Sequence, residues 1–71
     1  MAVRNRLKEL RHDHRMNQVE FAEFLGLSQY QYNRYENQAR QPTLEIALQI
    51  SAKLNRTVNE IFYLVDEPDR Q

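Results

Sequence analysis

The chain contains no cysteine and no tryptophan, only one glycine and two prolines, and no apolar run longer than the five residues Ile61 to Val65. Without cysteine there is no disulfide framework, no thiolate zinc site and no thiol nucleophile, so nothing points to secretion or redox chemistry. A five-residue run is far short of the roughly 20 residues of a membrane span, and the start Met1-Ala2-Val3-Arg4 lacks the apolar core of a signal peptide. The chain is therefore expected to be neither inserted nor exported, and to reside in the cytoplasm. At 71 residues it forms one small domain. A domain of this size buries only about 60% of its unfolded surface, which leaves no room for an enclosed substrate cavity. There is no nucleophile-base pair, no glycine-rich phosphate loop and no cluster of metal ligands, so no enzyme, cofactor or metal is implied. His12 and His14, two residues apart on a helix, have the wrong spacing for one face and no third ligand.

Net charge is also missing, with ten basic and ten acidic side chains. The average conceals an asymmetry: residues 1–42 carry seven basic and five acidic groups, residues 43–71 three and five. A basic first part and an acidic end allow one face to meet phosphates, although this is weaker than the basic stripe of a nonspecific DNA coater.

What is present reads as all-helical, because Leu, Glu, Gln, Arg and Ala are frequent and breakers are few. Val3, Leu7, Leu10 and His14 recur at helical spacing and predict a first helix over about 5–14. Asn17 with Glu20, Ser28 with Gln31 and Thr57 with Glu60 each place a capping side chain three residues before its partner. They open a second helix over Gln18 to Leu25, stopped by Gly26, a third over Ser28 to Asn37, and a last short one through Phe62. Pro42 bars continuation of the third helix, and Thr43 caps a fourth carrying Leu44, Ala47, Leu48, Ile50, Ser51 and Leu54. Residues 1–65 form the domain and 66–71 an acidic flexible tail. On the third helix Tyr32 and Tyr35 face inward, whereas Tyr30 is about 200° from Tyr32 and faces out.

Two short helices joined through Gly26, with small Ala22 where the second crosses the first, form a helix-turn-helix. Such pairs occur in many small helical proteins. The chain further carries Leu10-Arg11, Asn17-Gln18-Val19-Glu20-Phe21-Ala22, Leu25-Gly26-Leu27-Ser28, Arg34-Tyr35-Glu36-Asn37, Gln41-Pro42-Thr43-Leu44-Glu45 and Val58-Asn59-Glu60-Ile61-Phe62. In this order and spacing the stretches resemble the Cro/C1-type (XRE-like, lambda-repressor-like) helix-turn-helix family over roughly residues 5–62. The resemblance implies a compact five-helix DNA-binding domain, here a stand-alone member. Its third helix would enter the major groove while the start of the second rests on a phosphate.

Carried onto this chain, the resemblance makes Gln29, Tyr30, Asn33 and Arg34 the base-reading candidates. Gln bonds adenine bidentately, Arg bonds guanine, and an aromatic ring covers a thymine methyl. Gln18 is implied to bond a phosphate and to brace the third helix through Gln29, with Asn17, Asn37, Arg40 and Gln41 as further phosphate candidates. Arg40 is equally well read as solvated. Arg11 and Glu36 are implied to form a largely buried ion pair. The family commonly has aliphatic residues at Tyr32 and Tyr35, so their hydroxyls are expected to emerge at the edge of the domain. It also commonly has glycine where this chain has Arg15 and Gln38, so either Asn37 takes the left-handed conformation or the loop is rebuilt.

One small domain reads too few base pairs to find a genomic site, so a homodimer on an inverted-repeat operator of double-stranded DNA is expected. Ile61, Phe62, Tyr63, Leu64 and Val65 offer the dimer surface. With Ala2-Val3-Arg4 they are suited to a small antiparallel ribbon at the two-fold axis. The expected function is a sequence-specific transcriptional regulator, a repressor first. The alternatives are the DNA-binding antitoxin of a toxin pair, and a helix-turn-helix used only for protein association.

Overall fold

In the computed structural model, which describes residues 1–66, the order is β1 (Ala2–Asn5), α1 (Leu7–Asp13), α2 (Gln18–Leu25), α3 (Gln29–Glu36), α4 (Leu44–Leu54), α5 (Val58–Ile61) and β2 (Phe62–Val65). The expected tail thus lies outside the described residues except for Asp66. Five helices form the body, as the composition implies, and none of the described helices is long and apolar enough to cross a membrane.

The helix starts follow from the capping residues. Asn17, Ser28 and Thr57 each accept the backbone N–H three residues on, while Glu20, Gln31 and Glu60 accept the N–H of the capping residue. Thr43 accepts the Ile46 N–H and starts α4. Each such cap is worth about 1 kcal/mol to its helix. Gly26 closes α2 at φ 77°, and Leu27 N–H then donates to the Ala22 carbonyl at 2.9 Å. A Cβ on Gly26 would stand 3.1 Å from Nε2 of Gln49, the group that ties α4 to the Leu25 carbonyl.

One core joins all helices: Leu7 and Leu10, Phe21, Ala22 and Leu25, Tyr32 and Tyr35, Ala47, Ile50 and Leu54, then Ile61 and Phe62. α2 packs on α3 and α4, α1 on α3, and α5 on α4. Ala22, buried, provides the small side chain expected at the helix-turn-helix.

Several sequence expectations change. α1 starts at Leu7, because Asn5 ends β1 and its Oδ1 accepts the Leu7 N–H at 3.1 Å, doing from one residue further back what Arg6 does not do as a cap. Val3 therefore belongs to a strand. His14 lies just past α1, with Nδ1 2.8 Å from the Leu10 carbonyl oxygen and its ring against Phe21 and Phe24. On α4 the buried stripe is Ala47, Ile50 and Leu54 with Ile46 at its edge, so Leu44, 73% exposed, and Leu48 face solvent.

The terminal ribbon forms within one chain. β1 and β2 pair antiparallel with Ala2 opposite Val65, Val3 opposite Leu64, Arg4 opposite Tyr63 and Asn5 opposite Phe62. Phe62 enters β2 instead of extending α5, and Ile61 and Phe62 are spent on the monomer core. Of the expected dimer surface only Tyr63, Leu64 and Val65 keep area open to a partner. The left-handed conformation falls on Arg15 (φ 57°) and Gln38 (φ 64°) themselves, while Asn37 stays at φ −81°.

Candidate nucleic-acid interface

α3 has two faces with different chemistry. Inward, Tyr32, Tyr35 and Glu36 are buried, and a buried carboxylate must be paired. Arg11 supplies the pair: Nε donates to Glu36 Oε1 at 2.8 Å and Nη2 to Oε2 at 3.1 Å, a two-pronged contact, while Nη1 donates to the Met16 carbonyl. The Tyr32 hydroxyl donates to Oε1 at 2.5 Å and Gln18 Nε2 to Oε2 at 3.0 Å. Burial alone would raise the Glu36 carboxyl, but the hydrogen bonds from Arg11, Tyr32 and Gln18 outweigh it and hold the group down at about 2. The hydrogen bond to Glu36 correspondingly raises Arg11. Burial, followed by the adjacent carboxylate, drives the Tyr32 hydroxyl well above its ordinary range.

Two expectations are corrected by this cluster. Tyr32 does not send its hydroxyl to the domain edge, because the carboxylate one turn on captures it. Gln18 is braced by Glu36, not by Gln29. The cluster fixes the start of α2 to the end of α3, and with α1 through Arg11 it sets the angle at which α3 leaves the body.

Outward, Gln29 is exposed in the first turn of α3 and Tyr30 is 71% exposed. Arg34 lies one turn on, its Cζ over the Tyr30 ring at 5.6 Å from the centroid. Asn33 is half-buried like Arg34, and its Oδ1 is enclosed without a hydrogen-bond partner, whereas Gln29 and Tyr30 are exposed. Arg34 and Arg40 border a shallow cleft of about 300 Å³ between α3 and the start of α4, together with Tyr30, Tyr35, Thr43 and Ile46. The Arg40 N–H donates to the Arg34 carbonyl at 3.2 Å, which holds the loop after α3 against that helix.

The phosphate candidates divide. Asn17 caps α2 with its side-chain oxygen, Gln18 has a second N–H on the amide nitrogen that bonds Glu36, and Asn37 and Arg40 are exposed. Gln41 is instead internal: Nε2 donates to Gln38 Oε1 at 2.9 Å and Oε1 accepts from Asn5 Nδ2 at 2.8 Å. Asn5, only 4% exposed, is the residue sequence reasoning missed. Its Nδ2 also donates to the Tyr35 carbonyl at the end of α3, and its backbone N–H and carbonyl pair with the Gln38 amide at 3.2 and 2.9 Å. Gln38 thus acts as a one-residue strand against β1, which holds a non-glycine residue in the left-handed region. An Asn two residues before the first buried leucine was the available signal, but its partners on Tyr35 and Gln38 are 30 or more residues away.

A helix-turn-helix family model matches residues 7–61, the span of α1 through α5. The chain is also 30% identical over 64 residues to an uncharacterized HTH-type transcriptional regulator, YobD, of Bacillus subtilis (strain 168). That match takes in 90% of this chain and 57% of the relative, so the chain spans little more than half the relative's length. Packing, turn geometry and the family match agree: this chain belongs to the Cro/C1-type helix-turn-helix family.

Proposed function

We propose that the protein is a sequence-specific double-stranded DNA-binding transcriptional regulator, a homodimeric repressor that lays α3 in the major groove. The observation that carries this reading is the division of α3. Its inner face is locked to α1 and α2 through Glu36, while Gln29, Tyr30 and Arg34 project from a rigid support with base-reading chemistry. The start of α2, with Asn17 and Gln18, and the loop carrying Asn37 and Arg40 flank that face and supply phosphate contacts. The YobD relative, named as an HTH-type transcriptional regulator, agrees with this class of function.

A homodimer follows from the small size of the reading surface. Val3 and Leu64, opposite each other on the ribbon, extend the apolar face of the core beyond Phe62, and Leu64 is 65% exposed. A second copy covers this face, with Tyr63 and Val65 beside it. Two copies then read half-sites about 10 bp apart, and the occupied operator is closed to other proteins.

Selection of binding sites from a random duplex pool, followed by affinity across a salt series, tests the reading. The expected result is an inverted repeat, relaxed at defined positions in Gln29→Ala and Arg34→Ala, with affinity falling as salt rises. Leu64→Glu is expected to shift the protein to monomer in sedimentation and to weaken operator binding. A pool without enrichment, bound weakly and without preference, would sink the proposal.

A further inference from the structure

Tyr30 carries a large ring into water, 71% exposed, on the outer face of α3, where a polar side chain would be the ordinary choice. Its one neighbour of note is Arg34, whose guanidinium lies over the ring and whose Nη1 donates to the hydroxyl at 3.4 Å. The two residues are one helical turn apart, and a Cζ 5.6 Å from the centroid with Nη1 on the hydroxyl puts the guanidinium at the phenol end of the ring, a contact that narrows the rotamers it samples. Arginine has five N–H donors and this contact takes one, leaving an outward edge for another planar acceptor pair.

Resting on the proposal that α3 reads the major groove, we infer that Tyr30 and Arg34 act as one reading unit for a guanine and a thymine at neighbouring base pairs. Guanine presents N7 and O6 as a planar acceptor pair that the guanidinium edge matches in two bonds. A ring that holds that guanidinium by its hydroxyl end, and is 71% exposed, keeps its faces open to an apolar contact. The one apolar group exposed on the major-groove edge of a base is the thymine 5-methyl. Residues one turn apart stand about 5–6 Å from each other, and base pairs rise about 3.4 Å, so the pair spans one to two steps. Two independent readers would tolerate each base separately. A hydrogen-bonded pair ties them, because removing Tyr30 also releases the guanidinium.

The test uses the full chain and the operator selected by the wild-type protein. Tyr30→Ala, at an exposed position, is expected to lose the preference at both the guanine and the thymine while the bases read by Gln29 stay selected. Tyr30→Phe, which keeps the ring but removes the hydroxyl, is expected to retain the preference for the thymine and to weaken that for the guanine. Replacing that thymine with uracil removes only the methyl and is expected to weaken wild-type binding about fourfold, with no change for Tyr30→Ala. Full guanine preference in Tyr30→Ala, or equal wild-type affinity for thymine and uracil duplexes, overturns the inference and leaves the regulator reading standing. Absence of any selected sequence overturns both.

Discussion

The two faces of α3 share eight residues and one backbone, yet they use polar groups in opposite ways. On the inner face both carboxylate oxygens of Glu36 are committed, to Arg11, Tyr32 and Gln18, with Glu36 and Tyr32 buried and Arg11 and Gln18 half-buried. On the outer face Gln29 and Tyr30 stand in water. A committed buried group costs free energy when its partner goes, whereas an exposed one costs almost nothing until a ligand arrives. The difference separates residues that make α3 a fixed element from residues that give it something to read.

The strongest attempt to break this comparison is Glu36→Gln, which leaves the Arg11 guanidinium buried without its charge partner. A loss of about 3–5 kcal/mol in urea unfolding at pH 7 is expected. The same pair sets the acid limit of the fold. A carboxyl held at about 2 in the folded chain against 4.5 as its ordinary value contributes about 3 kcal/mol above pH 5, and loses it as pH falls from about 5 to 2. Wild-type stability should decline through that window, and Glu36→Gln should show a shallower decline there. Tyr32→Phe removes one bond to the carboxylate, with an expected cost of about 1.5–3 kcal/mol by the same measurement.

The helix ends sharpen the comparison further. Arg15 and Gln38 both occupy the left-handed region. Arg15 is exposed, and Arg15→Gly is expected to raise stability by about 0.5–1 kcal/mol through relief of backbone strain. Gln38→Gly relieves the same strain but removes the amide that pairs with the Asn5 backbone and Gln41, so a net loss of about 1 kcal/mol is expected. The smallest effect is on the outer face. Gln29→Ala should leave the urea midpoint within about 0.5 kcal/mol of wild type while costing operator affinity.

Capping explains why so much of the helical layout was legible. Asn17, Ser28, Thr43 and Thr57 act on backbone groups within three residues, so the spacing of three capping pairs and Thr43 after Pro42 placed the starts of four helices. α1 was misjudged because its cap comes from Asn5, and the apolar residues carried by α4 divide, with Leu44 and Leu48 facing solvent. The reading candidates were legible in kind. Their environment was not: Asn33 turns partly inward, Gln41 is consumed by Asn5 and Gln38, and Tyr32 points at Glu36.

By itself, then, the order of residues determined the helices, the turn at Gly26, the Arg11–Glu36 pairing and the outward place of Gln29 and Tyr30. These rest on contacts within a turn or on a motif shared with a family. Only the tertiary structure decided that Asn5 and Gln38 join the first strand to the end of α3, that Gln18 is held by Glu36, and that the two termini close into one ribbon. Those bonds link residues 18 or more positions apart, and their geometry exists only once the core has brought the helices together.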